Sequence, residues 1–156
     1  MYVNFDAFTE ESQAVARQVI VIATRFHHIH LDLEHVILSL LEVPGSGLDN
    51  VFDLLSIEKE QVQRNFELIL SNMDKADEKL IKAQRFTISP RMKKVIDEAQ
   101  YEANRLWDTE IKPIHLFIAS VKIYLGSEKN SVGGKIIAKT GITLDKIRDI
   151  VIRAGN

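Results

Sequence analysis

Histidines and a glutamate cluster just after the first predicted helix and are the most obvious candidates for metal chemistry. The cluster comprises His27, His28, His30, Glu34 and His35. Its order does not follow the H-E-x-x-H motif, and adjacent histidines on a helix point in different directions. We therefore predict no metal at this cluster. We expect His35 and the similarly placed His115 to pack or cap helices rather than to catalyse a reaction.

The segment Val132-Gly133-Gly134-Lys135 superficially resembles a phosphate-binding loop. That motif requires a glycine five positions before Gly134 and a serine or threonine after the lysine, but Lys129 and Ile136 stand there. No Ser-His-Asp or paired-carboxylate arrangement stands out, and the sequence contains no cysteine. These features predict a chain that is not an enzyme and that binds no cofactor.

The composition indicates one ordinary globular domain. The chain has 156 residues, of which 46% are hydrophobic and 27% charged, and its formal net charge is −2. Because acidic and basic residues are interspersed, nothing favours binding to nucleic acid or to an anionic membrane. The N-terminal sequence lacks the basic and apolar regions of a secretory signal. We therefore expect a cytoplasmic protein.

Apolar residues recur at helical spacing in the first half of the chain. Thr9 is a predicted N-cap for the first helix, and a second helix is predicted from about 32 to 42, ending at Pro44-Gly45. A short helix over 48–55 and another from about 58 follow. The polar stretch 74–85 is predicted to be a linker or a solvated helical extension.

The helical pattern then restarts. Ser89-Pro90 is a predicted N-cap followed by proline at the first helical position. Pro113 is predicted to open the next helix, Ile136 and Ile137 lie on a short one, and Thr143 caps the last. Trp107 and Phe86 are candidate recognition aromatics, although burial between the two halves is the commoner fate of such residues.

A shift of 80 residues aligns the two halves without a gap through their first two helices. The matched pairs include Thr9 with Ser89, Val15 with Val95, Ala23 with Ala103, Arg25 with Arg105, Leu31 with Ile111 and His35 with His115. The predicted fold is therefore all-α, with two tandem four-helix repeats related by a pseudo-twofold and packed through their first helices. One domain over 1–156 would comprise repeat 1 (8–71), a polar linker (74–85) and repeat 2 (88–154).

These motifs resemble the Clp amino-terminal repeat, the double-repeat domain that precedes the AAA+ rings of Clp unfoldases, and they are closest to the C-type. The first copy carries Phe8-Thr9, Val15, Ala23, His28, Leu31 and Glu34-His35-Val36-Ile37-Leu38. The second copy carries Ser89-Pro90-Arg91, Lys93-Lys94-Val95, Ala103 and His115. Two positions depart from the family pattern. Ile114 replaces the glutamate of the second E-H pair, and Asp108-Thr109-Glu110-Ile111 replaces the second H-x-x-I.

The resemblance implies a module that recruits unfolded or tagged substrates and adaptor proteins to an unfoldase, and some C-type members also recognise phosphorylated arginine. Thr9 at a helix N-terminus could hold a phosphate, and Glu34 could pair with the guanidinium. Ser89 could replace Thr9 in the second copy, but Ile114 cannot replace a carboxylate. We therefore expect one site, at Thr9 and Glu34. Alternatively, Glu34 only stabilises the first turn of its own helix.

Two other functions stay open from the sequence. The chain could be a free-standing adaptor or decoy that resembles the unfoldase domain but lacks its rings. It could also be an unrelated helical protein that binds a metal or another ligand through His27, His28 and His30. A recruiting module, unlike the histidine-based alternative, would depend on an ATP-driven partner for its work.

Overall fold

The computed structural model describes residues 5–154, which form nine helices and a pair of two-residue strands. The first four helices are α1 (Glu10–Arg25), α2 (Leu33–Glu42), α3 (Leu48–Leu54) and α4 (Lys59–Ser71). A short helix, α5 (Glu78–Lys82), connects them to α6 (Pro90–Arg105), α7 (Pro113–Leu125), α8 (Val132–Lys139) and α9 (Leu144–Arg153). The strands β1 (His30–Leu31) and β2 (Thr87–Ile88) pair in parallel. The predicted all-α fold with two four-helix repeats is confirmed.

Local capping explains where the long helices begin. The Thr9 hydroxyl accepts a hydrogen bond from the backbone N–H of Ser12, and the Ser89 hydroxyl accepts one from Met92. Thr143 caps α9 in the same way. All three N-caps predicted from the sequence are confirmed, because each depends only on residues within one turn of the cap.

The centre of the molecule is formed by the second helix of each repeat. Nine residues of α2 and ten of α7 are buried, and the two helices contact each other. Aromatic pairs join the repeats, with ring centroids 5.6 Å apart for Phe52 and Phe117 and 5.7 Å apart for Phe66 and Tyr124. The expectation that the repeats pack through their first helices is therefore corrected, because the most apolar helices take the centre.

The stretch between the repeats is anchored rather than free. The N–H of Ala76 donates to the carbonyl of His27 at 2.7 Å, and Ile81 of α5 is buried. This stretch leads into β2, where the N–H of Thr87 donates to the carbonyl of Ile29 at 2.8 Å. Within residues 5–154, no helix is long and apolar enough to cross a membrane.

Candidate recognition sites between the two repeats

Each repeat places the start of its first helix against the segment before the second helix of the other repeat. The N–H of Thr9 donates to the carbonyl of Ile111 at 3.1 Å, and the N–H of Ser89 donates to the carbonyl of Leu31 at 2.9 Å. These two contacts are equivalent under the shift of 80 residues. The geometry therefore creates two related positions, one beside Thr9 and one beside Ser89, and each combines residues of both repeats.

The Thr9 position has no glutamate from the second repeat. The Thr9 hydroxyl donates to the carbonyl of Ile111 at 3.4 Å in addition to capping α1. A cavity of about 420 Å³ beside it is lined by Lys112 and Ile114 and also by Glu11. Ile114 lies beside Thr9, so the family's missing carboxylate is missing here.

The Ser89 position is filled by an arginine of the chain itself. The Arg91 guanidinium donates from Nε and Nη2 to the two carboxylate oxygens of Asp32, at 3.0 and 2.8 Å. Nη2 also donates to Oε1 of Glu34 at 2.7 Å, and Nη1 donates to Glu128 at 2.5 Å. The Ser89 hydroxyl donates to Asp32 at 2.7 Å. Three carboxylates therefore surround one guanidinium.

Glu34 is consequently committed to internal partners. It is 5% exposed, and its second oxygen accepts a hydrogen bond from the Tyr124 hydroxyl at 2.9 Å. The sequence-based assignment of Thr9 and Glu34 to one site is corrected. Because the repeats exchange their helix ends, Glu34 joins Ser89 and Arg91, whereas Thr9 joins the region of Ile114.

The ionisation of this cluster follows from burial opposed by charge. Burial raises the pKa of Glu34, and the positive charge of Arg91 opposes that shift. Burial would also raise the pKa of Asp32, but hydrogen bonds from Arg91 and Ser89 hold it below its usual range. Burial and the nearby Glu34 raise the pKa of Tyr124. The phenol thus stays a hydrogen-bond donor, and Asp32 stays charged.

Sequence reasoning missed Arg91, Asp32, Tyr124 and Glu128 as members of this cluster. A signal for the first two was present in the repeat. The shift of 80 residues pairs Arg91 with Glu11 and Asp32 with Lys112, so the charge is reversed at both positions. A double reversal of this kind is expected when two residues from different repeats face each other.

The histidine cluster forms a hydrogen-bonded pair rather than a metal site. The N–H of Asp32 donates to Nδ1 of His35 at 3.0 Å, so neutral His35 carries its proton on Nε2 and donates to Nδ1 of His28 at 2.9 Å. Neutral His28 must then carry its proton on Nε2. That buried N–H has no well-formed hydrogen bond, although the carbonyls of Leu70 and Met73 raise the pKa of His28 against the larger lowering caused by burial.

A protonated ring nitrogen cannot bind a metal ion, and the other histidines of the cluster turn elsewhere. His30 hydrogen-bonds to Thr87 at 2.6 Å, and the His27 side chain is exposed. Across residues 5–154 there is no group of three or more His, Asp or Glu side chains placed to hold an ion. The alternative function based on a histidine metal site therefore has no geometric support.

The second repeat replaces His28 with Asp108 at the equivalent position. Nε2 of His115 lies 2.9 Å from the Asp108 carboxylate, and the N–H of Lys112 donates to Nδ1 of His115 at 2.8 Å. Both His35 and His115 thus cap the start of a central helix, as the sequence predicted. Burial lowers the pKa of His35 to about 4 and also lowers the pKa of His115.

The two glycines of the apparent phosphate loop serve close packing. A Cβ atom on Gly133 would lie 2.5 Å from the Tyr124 ring, and one on Gly134 would lie 2.1 Å from the carbonyl oxygen of Glu128. Both glycines are buried inside the first turn of α8. They bring α8 against Tyr124 and Glu128, the two residues of repeat 2 that extend the Arg91 cluster.

Trp107 lies on the surface instead of between the repeats. Its side chain is 93% exposed, and its backbone φ is 62°, a left-handed conformation that favours glycine. Phe86, in contrast, packs partly buried against the core. The general expectation of burial is thus wrong for Trp107, which ends α6 as an uncovered aromatic ring.

Comparison with known proteins agrees with the sequence motifs. The family model of the Clp repeat (R) N-terminal domain matches residues 7–124. The chain is 25% identical over 150 residues to the negative regulator of genetic competence ClpC/MecB of Bacillus subtilis. It is 27% identical over 152 residues to the ATP-dependent Clp protease ATP-binding subunit ClpC of Staphylococcus saprophyticus. Each alignment covers 96% of this chain but only 17% of the relative.

Solved structures show the same fold. The N-terminal domain of the ClpV1 ATPase from E. coli matches with a TM-score of 0.74 and 12% identity, over 94% of this chain and 84% of that one. The Hsp104 N-terminal domain from Candida albicans matches with a TM-score of 0.70 and 16% identity, over 92% and 88%. In Clp ATPases this domain is separate from the catalytic part. The chain belongs to the Clp repeat N-terminal domain family.

Proposed function

We propose that this chain is a non-catalytic protein-binding module that recruits unfolded or tagged substrates and adaptor proteins to a Clp-type ATP-dependent unfoldase in the cytoplasm. The observation that carries the proposal is the family match. The chain aligns along 96% of its length with 17% of proteins named as ATP-binding Clp subunits. The chemical work would then belong to an AAA+ ring, and binding would belong to this domain.

The surface supports a binding role. Trp107, Leu68 and Val132 are 93%, 63% and 64% exposed, and none of them stabilises the core. Large exposed apolar side chains of this kind are where protein partners gain binding energy. The charged groups between the repeats, in contrast, satisfy one another.

Phosphoarginine-bearing proteins are included among the proposed partners, with a constraint from the Arg91 cluster. Asp32 and Glu34 beside the Ser89 helix end have the chemistry to hold a guanidinium, but they already hold that of Arg91. A phosphoarginine ligand would have to displace Arg91 there. At Thr9 it would find a helix N-terminus and no carboxylate from residue 114.

The proposal is tested by transplanting the chain onto a ClpC ring whose own N-terminal domain has been deleted. We expect the hybrid to regain ATP-dependent unfolding of a fluorescent substrate at a rate above that of the ring alone. A hybrid that binds the substrate but unfolds it no faster than the ring alone would favour the free-standing adaptor or decoy. A hybrid that neither binds nor unfolds it would contradict the proposal.

A further inference from the structure

A groove of about 630 Å³ runs between α4 of the first repeat and α8 of the second. Its lining includes the apolar side chains Ile57, Val62 and Ile136. Leu68 and Val132 also line it, and they are 63% and 64% exposed. The fold therefore leaves an apolar strip uncovered at the junction of the two repeats.

The groove has the length of a short extended peptide. Glu58, Gln61, Asn65 and Leu68 line it at spacings of three and four residues, so they share one face of α4. At 1.5 Å per helical residue, this face is about 15 Å long. An extended chain rises about 3.3 Å per residue, so four or five residues would fill it.

Polar groups of the groove suit a peptide backbone rather than a particular side chain. Nε2 of Gln61 donates to Oδ1 of Asn65 at 3.2 Å, and this bond is exposed to solvent. Each carboxamide carries both donors and acceptors, as a peptide group does. An extended chain can therefore exchange hydrogen bonds with this pair whatever its sequence.

The charges of the groove cancel. Glu58 contributes one carboxylate and Lys139 contributes one ammonium group. Neither an acidic nor a basic partner gains a net attraction, so a segment without net charge fits best. The area argues against a folded partner or a second copy. A groove about 15 Å long buries far less than the roughly 1,200 Å² that a stable interface between folded proteins needs.

We propose that the groove between α4 and α8 binds an extended, apolar, uncharged segment of an unfolded polypeptide. This inference rests on the proposed function, because it names the substrate class and the surface that such a recruiting module uses. The segment places apolar side chains against Ile57, Val62 and Ile136. Its backbone lies along Gln61 and Asn65.

The test compares two charged substitutions inside the groove with one outside it. Leu68→Asp and Val132→Asp alter the groove, whereas Leu54→Asp alters a leucine that is 61% exposed and does not line it. All three positions are exposed to a similar degree, so all three variants should fold, which thermal unfolding verifies. The probe is fluorescein-labelled lactalbumin, reduced and carboxyamidomethylated so that it stays unfolded, and anisotropy measures its binding to the full chain.

We expect the combined Leu68→Asp, Val132→Asp variant to bind the probe about tenfold more weakly or worse, and Leu54→Asp to bind like the unmodified chain. Equal binding by all variants would overturn the groove as the site while leaving the proposed function intact. Equal weakening by Leu54→Asp would also overturn it, since general repulsion would then explain the effect. Absence of binding by the unmodified chain would contradict both the groove and the proposed function.

Discussion

Glu34 accepts hydrogen bonds on both carboxylate oxygens, from Arg91 at 2.7 Å and from Tyr124 at 2.9 Å. Its side chain is buried in the interface between the repeats, so these partners have little access to water when it is removed. A buried donor left without an acceptor costs more free energy than the bond itself contributes. At this residue, the sequence motif of the family coincides with a role in holding the two repeats together.

Replacing Glu34 with alanine should therefore reduce stability directly. We expect Glu34→Ala to lower the free energy of unfolding by about 1–3 kcal/mol, because Tyr124 loses its acceptor and Arg91 loses one of three carboxylates. Urea denaturation measures this, with Glu110→Ala, an exposed carboxylate, as the matched control. A variant that unfolds at the same urea concentration as the unmodified chain would show that Glu34 contributes nothing to the fold.

The buried histidines make stability depend on pH. Burial and the neighbouring His28 lower the pKa of His35 to about 4 in the folded chain, against about 6.5 when unfolded. The unfolded chain binds more protons between these values, so the free energy of unfolding should fall as pH drops from 6.5 towards 4, by up to about 3 kcal/mol. The lowered pKa values of His28 and His115 act in the same direction.

Nuclear magnetic resonance titration of the five histidine rings, combined with urea denaturation at pH 7 and pH 5, measures this effect. His27→Gln assigns the signal of an exposed ring without disturbing the buried pair. A His35 ring that titrates near pH 6.5, or equal stability at both pH values, would contradict the expected dependence.

At the scale of elements, α8 contacts α7 through its paired glycines. A Cβ atom on Gly134 would lie 2.9 Å from the carbonyl oxygen of Tyr124 as well as 2.1 Å from that of Glu128. Backbone atoms cannot move aside as a flexible side chain can. The position of α8 therefore depends on the absence of a side chain at this residue.

Gly134→Ala should destabilise the chain by about 1–3 kcal/mol, the usual cost of forcing an extra group into a well-packed interior. Lys135→Ala, at an exposed position of the same helix, is the matched control and should change little. Thermal unfolding of both variants measures the difference. If Gly134→Ala is as stable as the control, then α8 does not pack as described.

The elements themselves could be predicted because their signals are local. Thr9, Ser89 and Thr143 each cap a helix through bonds that span three residues. The partners of Glu34 could not be predicted in this way, since Arg91 and Tyr124 lie 57 and 90 residues away. Periodicity identifies which face of a helix is buried, but it does not identify which helix covers it. The exposure of Trp107 could not be predicted for the same reason.

At the scale of the whole molecule, neither repeat is complete without the other. The β1–β2 pair, the Arg91 cluster and the contact between α2 and α7 all join the repeats. Most of the bonds around the Thr9 and Ser89 helix ends therefore disappear if the chain is divided. The proposed division into repeats 8–71 and 88–154 describes structural units that depend on each other for stability.

Fragments 1–86 and 87–156 should each fail to unfold cooperatively, because each exposes a central helix that is almost fully apolar. Circular dichroism during heating measures cooperativity. An equimolar mixture of the fragments is the control, and it should recover part of the helical signal. A sharp thermal transition in either isolated fragment would contradict the interdependence of the repeats.

The central claim, that this chain binds proteins without chemistry of its own, is tested most directly by comparing one protein in two states. Trp107 is the only tryptophan of the chain and is 93% exposed, so its emission reports on contacts at the surface. The measurement is a calorimetric titration of the full chain with unfolded and with native lactalbumin, with tyrosine-only unfolded peptides used when Trp107 emission is recorded. The account predicts saturable binding of the unfolded form and none of the native form. No binding of the unfolded form, or equal binding of both, would contradict it.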